Sequence, residues 1–249
     1  MLVPGVDSVT FRALSVPRSV ELAASCGMWA VEWSSRVHVP THDLAAAREA
    51  RERCADAGLA VSAYGSSHRV GVSPPADWPP VLATARELGA PEIRATAGDS
   101  GSASTSPARR AEVVAAVRAA AEDAGRFGVR LSLARLPGTL TDTLESAVLL
   151  AAEVGHGAAV PCWRSTGGQR AASAVEEVRA LLPRLTAAYV GSRDRDGRRL
   201  PAAAREDLWM PVLRELARDG VERHVVLESA AEDVRADAAV LLGWVSAAA

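Results

Sequence analysis

Between Val6 and Val245, short apolar runs alternate with Ala-rich helical stretches about eight times. Strands joined by helices run parallel, and eight such units usually close on themselves. The pattern therefore predicts an α/β fold, a single (β/α)8 TIM barrel in one domain over residues 1–249. Loops that follow the strands collect at one face of such a barrel, and chemistry belongs there. Strands are expected at Val6–Thr10, Ala30–Trp33, Ala60–Tyr64, Glu92–Thr96, Arg130–Ala134, Ala158–Cys162, Ala187–Val190 and Val225–Glu228. Apolar residues recur at helical spacing in Leu44–Ala57, Arg109–Phe127, Thr143–Val154 and Val175–Leu182. Gly27, Gly58, Gly89, Gly155 and Gly220 suit the left-handed residue that closes a helix before the next strand.

Charge and residue usage remove several function classes. With 28 cations against 30 anions, no global field draws in nucleic acid or an acidic membrane surface. Every cation is Arg, so Schiff-base chemistry and a P-loop lysine are excluded. Absence of Asn removes any N-glycosylation sequon. Cys26, Cys54 and Cys162 are odd in number and form no CxxC pair, so neither a disulfide framework nor a zinc site is expected. No apolar run reaches the ~18 residues of a membrane span, and the N-terminus carries no signal-peptide pattern, so a soluble cytoplasmic protein is expected. The motifs GxGxxG, GxxxxGK[ST], HExxH and GxSxG are missing.

Candidate chemistry then comes from ionisable groups at predicted strand ends. Glu228 follows Val225-Val226-Leu227, placing an acid where a parallel strand opens, a position suited to proton transfer or to being held ionised by a metal or Arg. Glu32 repeats the arrangement on the second strand, with Trp33 as a pocket wall. His38 and His68 lie in loops above the expected mouth as proton shuttles. Arg94 sits inside a strand pattern, where a carboxylate or an anionic substrate must meet it. Arg135, Arg164 and Arg193 follow the fifth, sixth and seventh strands as anion binders, while Trp163 and Tyr189 end strands and can line a pocket. Each also has a structural alternative, namely a salt bridge, a loop hydrogen bond or ordinary packing. The loops Asp99–Ser106 and Ser192–Pro201 are long enough to be lids or solvated mobile segments.

Taken in order, Val6–Arg12, Val31-Glu32-Trp33 with Val37–Pro40, Ala63–Ser66, Ile93-Arg94 with Ala97-Gly98, Gly138–Thr143 and Leu227-Glu228 run across nearly the whole chain. On these motifs the chain resembles the sugar phosphate isomerase/epimerase superfamily, the xylose-isomerase-like barrels. The resemblance implies one divalent metal held by Glu, Asp or His at the ends of strands five to eight, and proton transfer between carbons of a ketose-like substrate. This chain departs from that ligand set: Ala134, Leu136, Cys162-Trp163 and Tyr189 stand at the corresponding positions, and only Glu228 survives. One carboxylate cannot assemble such a site.

The expectation is therefore an acid/base enzyme without a metal or other cofactor, isomerising, epimerising, cyclising or dehydrating a small oxygenated and anionic substrate in specialised metabolism. Glu228 would be the base, with His38, His68 or Tyr189 as proton donor. Arg94 and Arg135 would hold an anionic oxygen, with Glu32, Trp33, Tyr64, Trp163, Arg164 and Arg193 as further substrate contacts. Two alternatives stand beside it: a catalytically silent barrel binding a metabolite or protein, and a sugar isomerase with a displaced metal recruited by Glu32 and His38. An endonuclease-like role is disfavoured by the charge balance and the missing ligands.

Overall fold

The computed structural model describes residues 1–230 and 232–248. Eight strands, Leu2–Asp7 (β1), Ala30–Ser34 (β2), Ala60–Val70 (β3), Glu92–Ala97 (β4), Arg130–Ala134 (β5), Ala159–Arg164 (β6), Ala187–Val190 (β7) and Arg223–Leu227 (β8), form a closed barrel in sequence order. Each register given for neighbouring strands is parallel. The intervening helices are Val16–Ser25 (α1), Leu44–Asp56 (α2), Trp78–Leu88 (α3), Pro107–Gly125 (α4), Leu144–Val154 (α5), Ala171–Leu181 (α6), Glu206–Ala217 (α7) and Val234–Ala248 (α8). The expected xylose-isomerase-like (β/α)8 architecture is thus present. Among the described residues no helix is long and apolar enough to cross a membrane.

Two compact units emerge, neither contiguous in sequence. The first comprises Met1–Glu32, Glu52–Ala60 and the chain from Trp163 onward; the second comprises Trp33–Arg51 and Val61–Cys162. In the first unit, Val6, Val31, Ala188 and Val225 are fully buried. Around them α7 turns Leu208, Trp209, Val212, Leu213 and Leu216 inward, a helical spacing that makes one apolar stripe. At the start of β8, Arg223 is 2% exposed yet fully satisfied. It donates to the carbonyls of Leu182, Leu185 and Leu216 and to both carboxylate oxygens of Asp219. A cation at these helix ends also meets the negative end of their dipoles.

Several element bounds differ from expectation for identifiable reasons. β1 ends at Asp7 because its side chain accepts the backbone N–H of Val9 at 2.9 Å, turning Ser8–Phe11 into a 3-10 turn. β3 runs on to Val70, keeping step with β4 through Arg69↔Thr96 after an irregularity between Gly65 and Arg69. β6 starts and ends later than expected, reaching Arg164.

Candidate active site

Alternation along β6 decides which side chains reach the strand end. Cys162 and Arg164 share one face and Trp163 takes the other. Trp163 is fully buried, its Nε1 donating to Glu177 of α6 at 2.9 Å and its ring set edge-on to Trp209 of α7 at 5.8 Å. It therefore joins strand to helix layer. Arg164 donates through Nη2 to the Glu228 carboxylate, and its guanidinium carbon lies 5.4 Å from the centre of the Tyr189 ring. The Tyr189 hydroxyl in turn donates to Glu32 Oε2 at 2.5 Å, with Tyr189 2% exposed and Glu32 fully buried. Glu32, Tyr189, Arg164 and Glu228 thus form one polar group from the ends of β2, β6, β7 and β8.

Two loops of the same unit fix this group in place. The backbone N–H of Glu228 donates to Val190 at 2.8 Å, and Arg199 Nη1 donates to the Glu228 carbonyl at 2.5 Å. A Cβ at Gly191 would stand 3.3 Å from Glu228 Oε2, a tight approach that a side chain there could make only if the carboxylate gave way by a few tenths of an ångström. Beyond it, Asp237 accepts from Ser229 Oγ at 2.6 Å and from the Ala202 N–H at 2.7 Å, pinning both loops to α8. Ser192 donates to Ala202 and receives the indole N–H of Trp209. Against the same loop, a Cβ at Gly167 would meet Asp194 O at 2.5 Å. The Ser192–Pro201 segment is therefore strapped down. Arg193, expected as a substrate contact, donates to the Gly197 carbonyl within that loop and its backbone forms a β-bridge with Arg199. Sequence reasoning missed Arg199, Gly191 and Asp237; only the Arg-rich loop gave any signal.

The remaining candidates lie in the second unit and are mostly occupied. Trp33 is fully buried and meets His38 edge-on at 5.4 Å, a packing contact where a pocket wall and a proton shuttle were expected. Tyr64 donates to Val39 O at 3.1 Å and shares a 3.1 Å hydrogen bond with Thr41, so it organises the loop after β2. Burial pushes its phenol up, against the opposing hydrogen bond from Thr41. His68 packs on Trp78 at 5.4 Å in a cavity lined also by α4. Arg94 is half-buried, in register with Gly65 and Ser132, while Arg135 is half-buried with Asp142 O 3.5 Å from its Nε. The loop Asp99–Ser106 is held by the Ser102 N–H on the Asp142 carboxylate.

The donor set does not fit the divalent metal that the resemblance implies. Hard cations take several convergent oxygens or imidazoles. Here Glu228 already carries a guanidinium, and Glu32 carries a phenol. Among the described residues, no three His, Cys, Asp or Glu side chains gather into a metal-binding group.

No protein-family model matches the chain, and no curated protein sequence matches it. Solved structures do. The probable 3-DHS dehydratase AsbF of Bacillus anthracis, involved in petrobactin synthesis, superimposes with a TM-score of 0.80 at 19% identity, covering 96% of this chain and 98% of that one. A xylose isomerase domain protein from Alicyclobacillus acidocaldarius gives 0.77 at 14% identity over 100% and 99% of the two chains. An L-ribulose 3-epimerase gives 0.76 at 14% over 100% and 96%. At these identities the likeness establishes the fold: this chain is built as a xylose-isomerase-like barrel.

Proposed function

We propose that the chain is a metal-independent acid/base enzyme acting on a small oxygenated substrate, as an isomerase or epimerase or as a cyclase or dehydratase. The observation that carries this reading is Arg164 seated on Glu228 beside the Tyr189–Glu32 hydrogen bond. A fixed guanidinium supplies the positive charge against which an enolate oxygen develops. The Glu228 carboxylate removes a proton from the carbon next to a carbonyl, leaving the negative charge on the oxygen that Arg164 faces. Tyr189 returns a proton, to the opposite face of the same carbon in an epimerisation, to the neighbouring carbon in an isomerisation, or to a departing hydroxyl in a dehydration, and Glu32 orients its phenol. Fold neighbours that are named as a 3-DHS dehydratase and an L-ribulose 3-epimerase support a substrate of this size and oxygen content. Of the three proton donors expected, His38, His68 and Tyr189, this reading takes Tyr189, and Arg164 takes the oxygen-holding role given to Arg94 and Arg135.

The test is deuterium incorporation, followed by proton NMR, with L-ribulose, D-allulose and 3-DHS in D2O containing EDTA. At least one substrate should exchange beside its carbonyl, and Glu228→Gln should slow the exchange by about 10²–10⁴. Exchange that EDTA abolishes and Mn²⁺ restores would overturn the metal-free chemistry. Equal rates for Glu228→Gln would remove the base, and no exchange on any of the three would leave a silent binding barrel.

A further inference from the structure

Within the second unit, α5 turns Ser146, Leu150 and Val154 inward, and its opposite face should then be polar. It is not. Glu145, Val148, Leu149 and Ala152 recur at i, i+3, i+4 and i+7 and are all exposed, so they form one stripe along the outer face with a single charge at its start. Val148 is 44% and Leu149 50% exposed. On α4 a parallel exposed stripe of Ala111, Ala115 and Arg118 widens this surface. The two helices are bound to each other beneath it, where Arg110 pairs with Glu153 at 2.8 Å and donates to Ser146 Oγ at 3.0 Å. Single exposed apolar side chains are ordinary, but a run of them along neighbouring helices marks a place where something docks.

The charges flanking the apolar centre select the occupant. At one end, in the first turn of α5, the Glu145 carboxylate has no partner among the described residues. At the other, Arg118 donates to Val154 O at 3.0 Å and to Glu153 O at 2.6 Å, so its guanidinium sits on the last carbonyls of α5 and meets no carboxylate among the described residues. Leu149 lies midway in sequence between Glu145 and those carbonyls. The order of negative end, apolar centre and positive end is therefore self-complementary: a two-fold axis at Leu149 lays α5 of one protomer antiparallel on α5 of its partner and brings each Glu145 to the other's Arg118. An apolar core with a charged rim is the composition of a protein interface. A nucleic acid or an anionic membrane would meet Arg118 but be repelled by Glu145. We infer that the outer face of α4 and α5 is an isologous interface with a second copy of this chain, centred on Leu149 and bounded by two symmetry-related Glu145–Arg118 pairs.

Sedimentation equilibrium over about 1–500 µM protein, the range in which small interfaces form, tests the assignment and should show a monomer–dimer equilibrium. Leu149→Glu sets a charge against its own symmetry mate on the axis, so it should weaken Kd by about tenfold or more with the melting temperature nearly unchanged. Glu145→Arg brings a second cation to Arg118, and Arg118→Glu brings a second anion to Glu145, so each variant alone should stay monomeric where the unaltered protein dimerises. Mixed one to one, the two variants should dimerise again, because each reversed charge then meets its opposite. Thermal melts check that each is folded; should Arg118→Glu fail through loss of its hydrogen bonds to α5, Leu149→Glu and Glu145→Arg decide the matter. A monomer at every concentration would overturn the inference and leave this face to a different protein. A dimer indifferent to Leu149→Glu and Glu145→Arg would place the interface elsewhere, and folded charge variants that remain monomeric when mixed would remove the pairing.

Discussion

With Nη2 on the Glu228 carboxylate and its guanidinium 5.4 Å from the Tyr189 ring, Arg164 sets the charge that both side chains feel. Lys keeps that charge but not the planar fork. Arg164→Lys should therefore fold with nearly the same melting temperature while kcat falls about 10²-fold, the order of loss when one preorganised donor is removed. Arg164→Met should lose kcat and melting temperature together, because the Glu228 side chain, 10% exposed, is left without its partner. Paired kcat and thermal measurements separate these outcomes. All four members of the group were legible in the sequence, since each is a polar residue at the end of an apolar run. Their pairing was not, because Glu32 and Tyr189 lie 157 positions apart and meet only when the strands close. The side that Trp163 faces was not legible either, because it depends on a strand bound: β6 extends to Arg164, so Trp163 falls on the helix-facing side.

At the level of elements, the helix ends were readable one residue at a time. Gly27, Gly58, Gly89, Gly155 and Gly220 all have φ between 62° and 75°, the left-handed conformation that closes a helix. Loop packing was opaque, because a glycine needed for close approach looks the same in sequence as one in open space. Gly167 and Gly157 make the contrast: a Cβ would lie 2.5 Å from the Asp194 carbonyl at the first and meet nothing within 4 Å at the second. Gly167→Ala should cost about 1–3 kcal/mol in urea unfolding, as overpacking does. It should also lower kcat, since the loop it displaces carries Arg199 onto Glu228. Gly157→Ala should be neutral or stabilising by about 0.4–1 kcal/mol through the unfolded chain. Unchanged stability and kcat in Gly167→Ala would mean that the loop yields without disturbing the site.

For the molecule as a whole, stability against acid should fall in two separate windows. Burial lowers the folded-state His68 pKa, outweighing the opposing pull of Asp77, while the other charges around its cavity, Arg109, Glu112 and Asp123, are paired within or beside α4. As pH drops past about 6.5, the unfolded imidazole takes up a proton that the folded one resists, so stability declines until the folded imidazole is protonated as well. The second window belongs to carboxylates whose folded pKa is depressed. Asp219 is held well below the usual range by its hydrogen bonds from Arg223, Asp207 lies lower through Arg205, and Glu215 through Arg179. Their stabilisation is complete above the unfolded carboxylate value of about 4 and is lost as pH falls through it toward their folded values. Thermal unfolding from pH 8 to pH 3 should therefore show a near-neutral decline that disappears in His68→Phe while the acid decline persists. Asp219→Asn should do the reverse, making the acid branch shallower while Asp207 and Glu215 keep the rest of it, and leaving the near-neutral one. A His68→Phe profile that still declines between pH 7 and pH 5 as the unaltered protein does would assign that window to other groups.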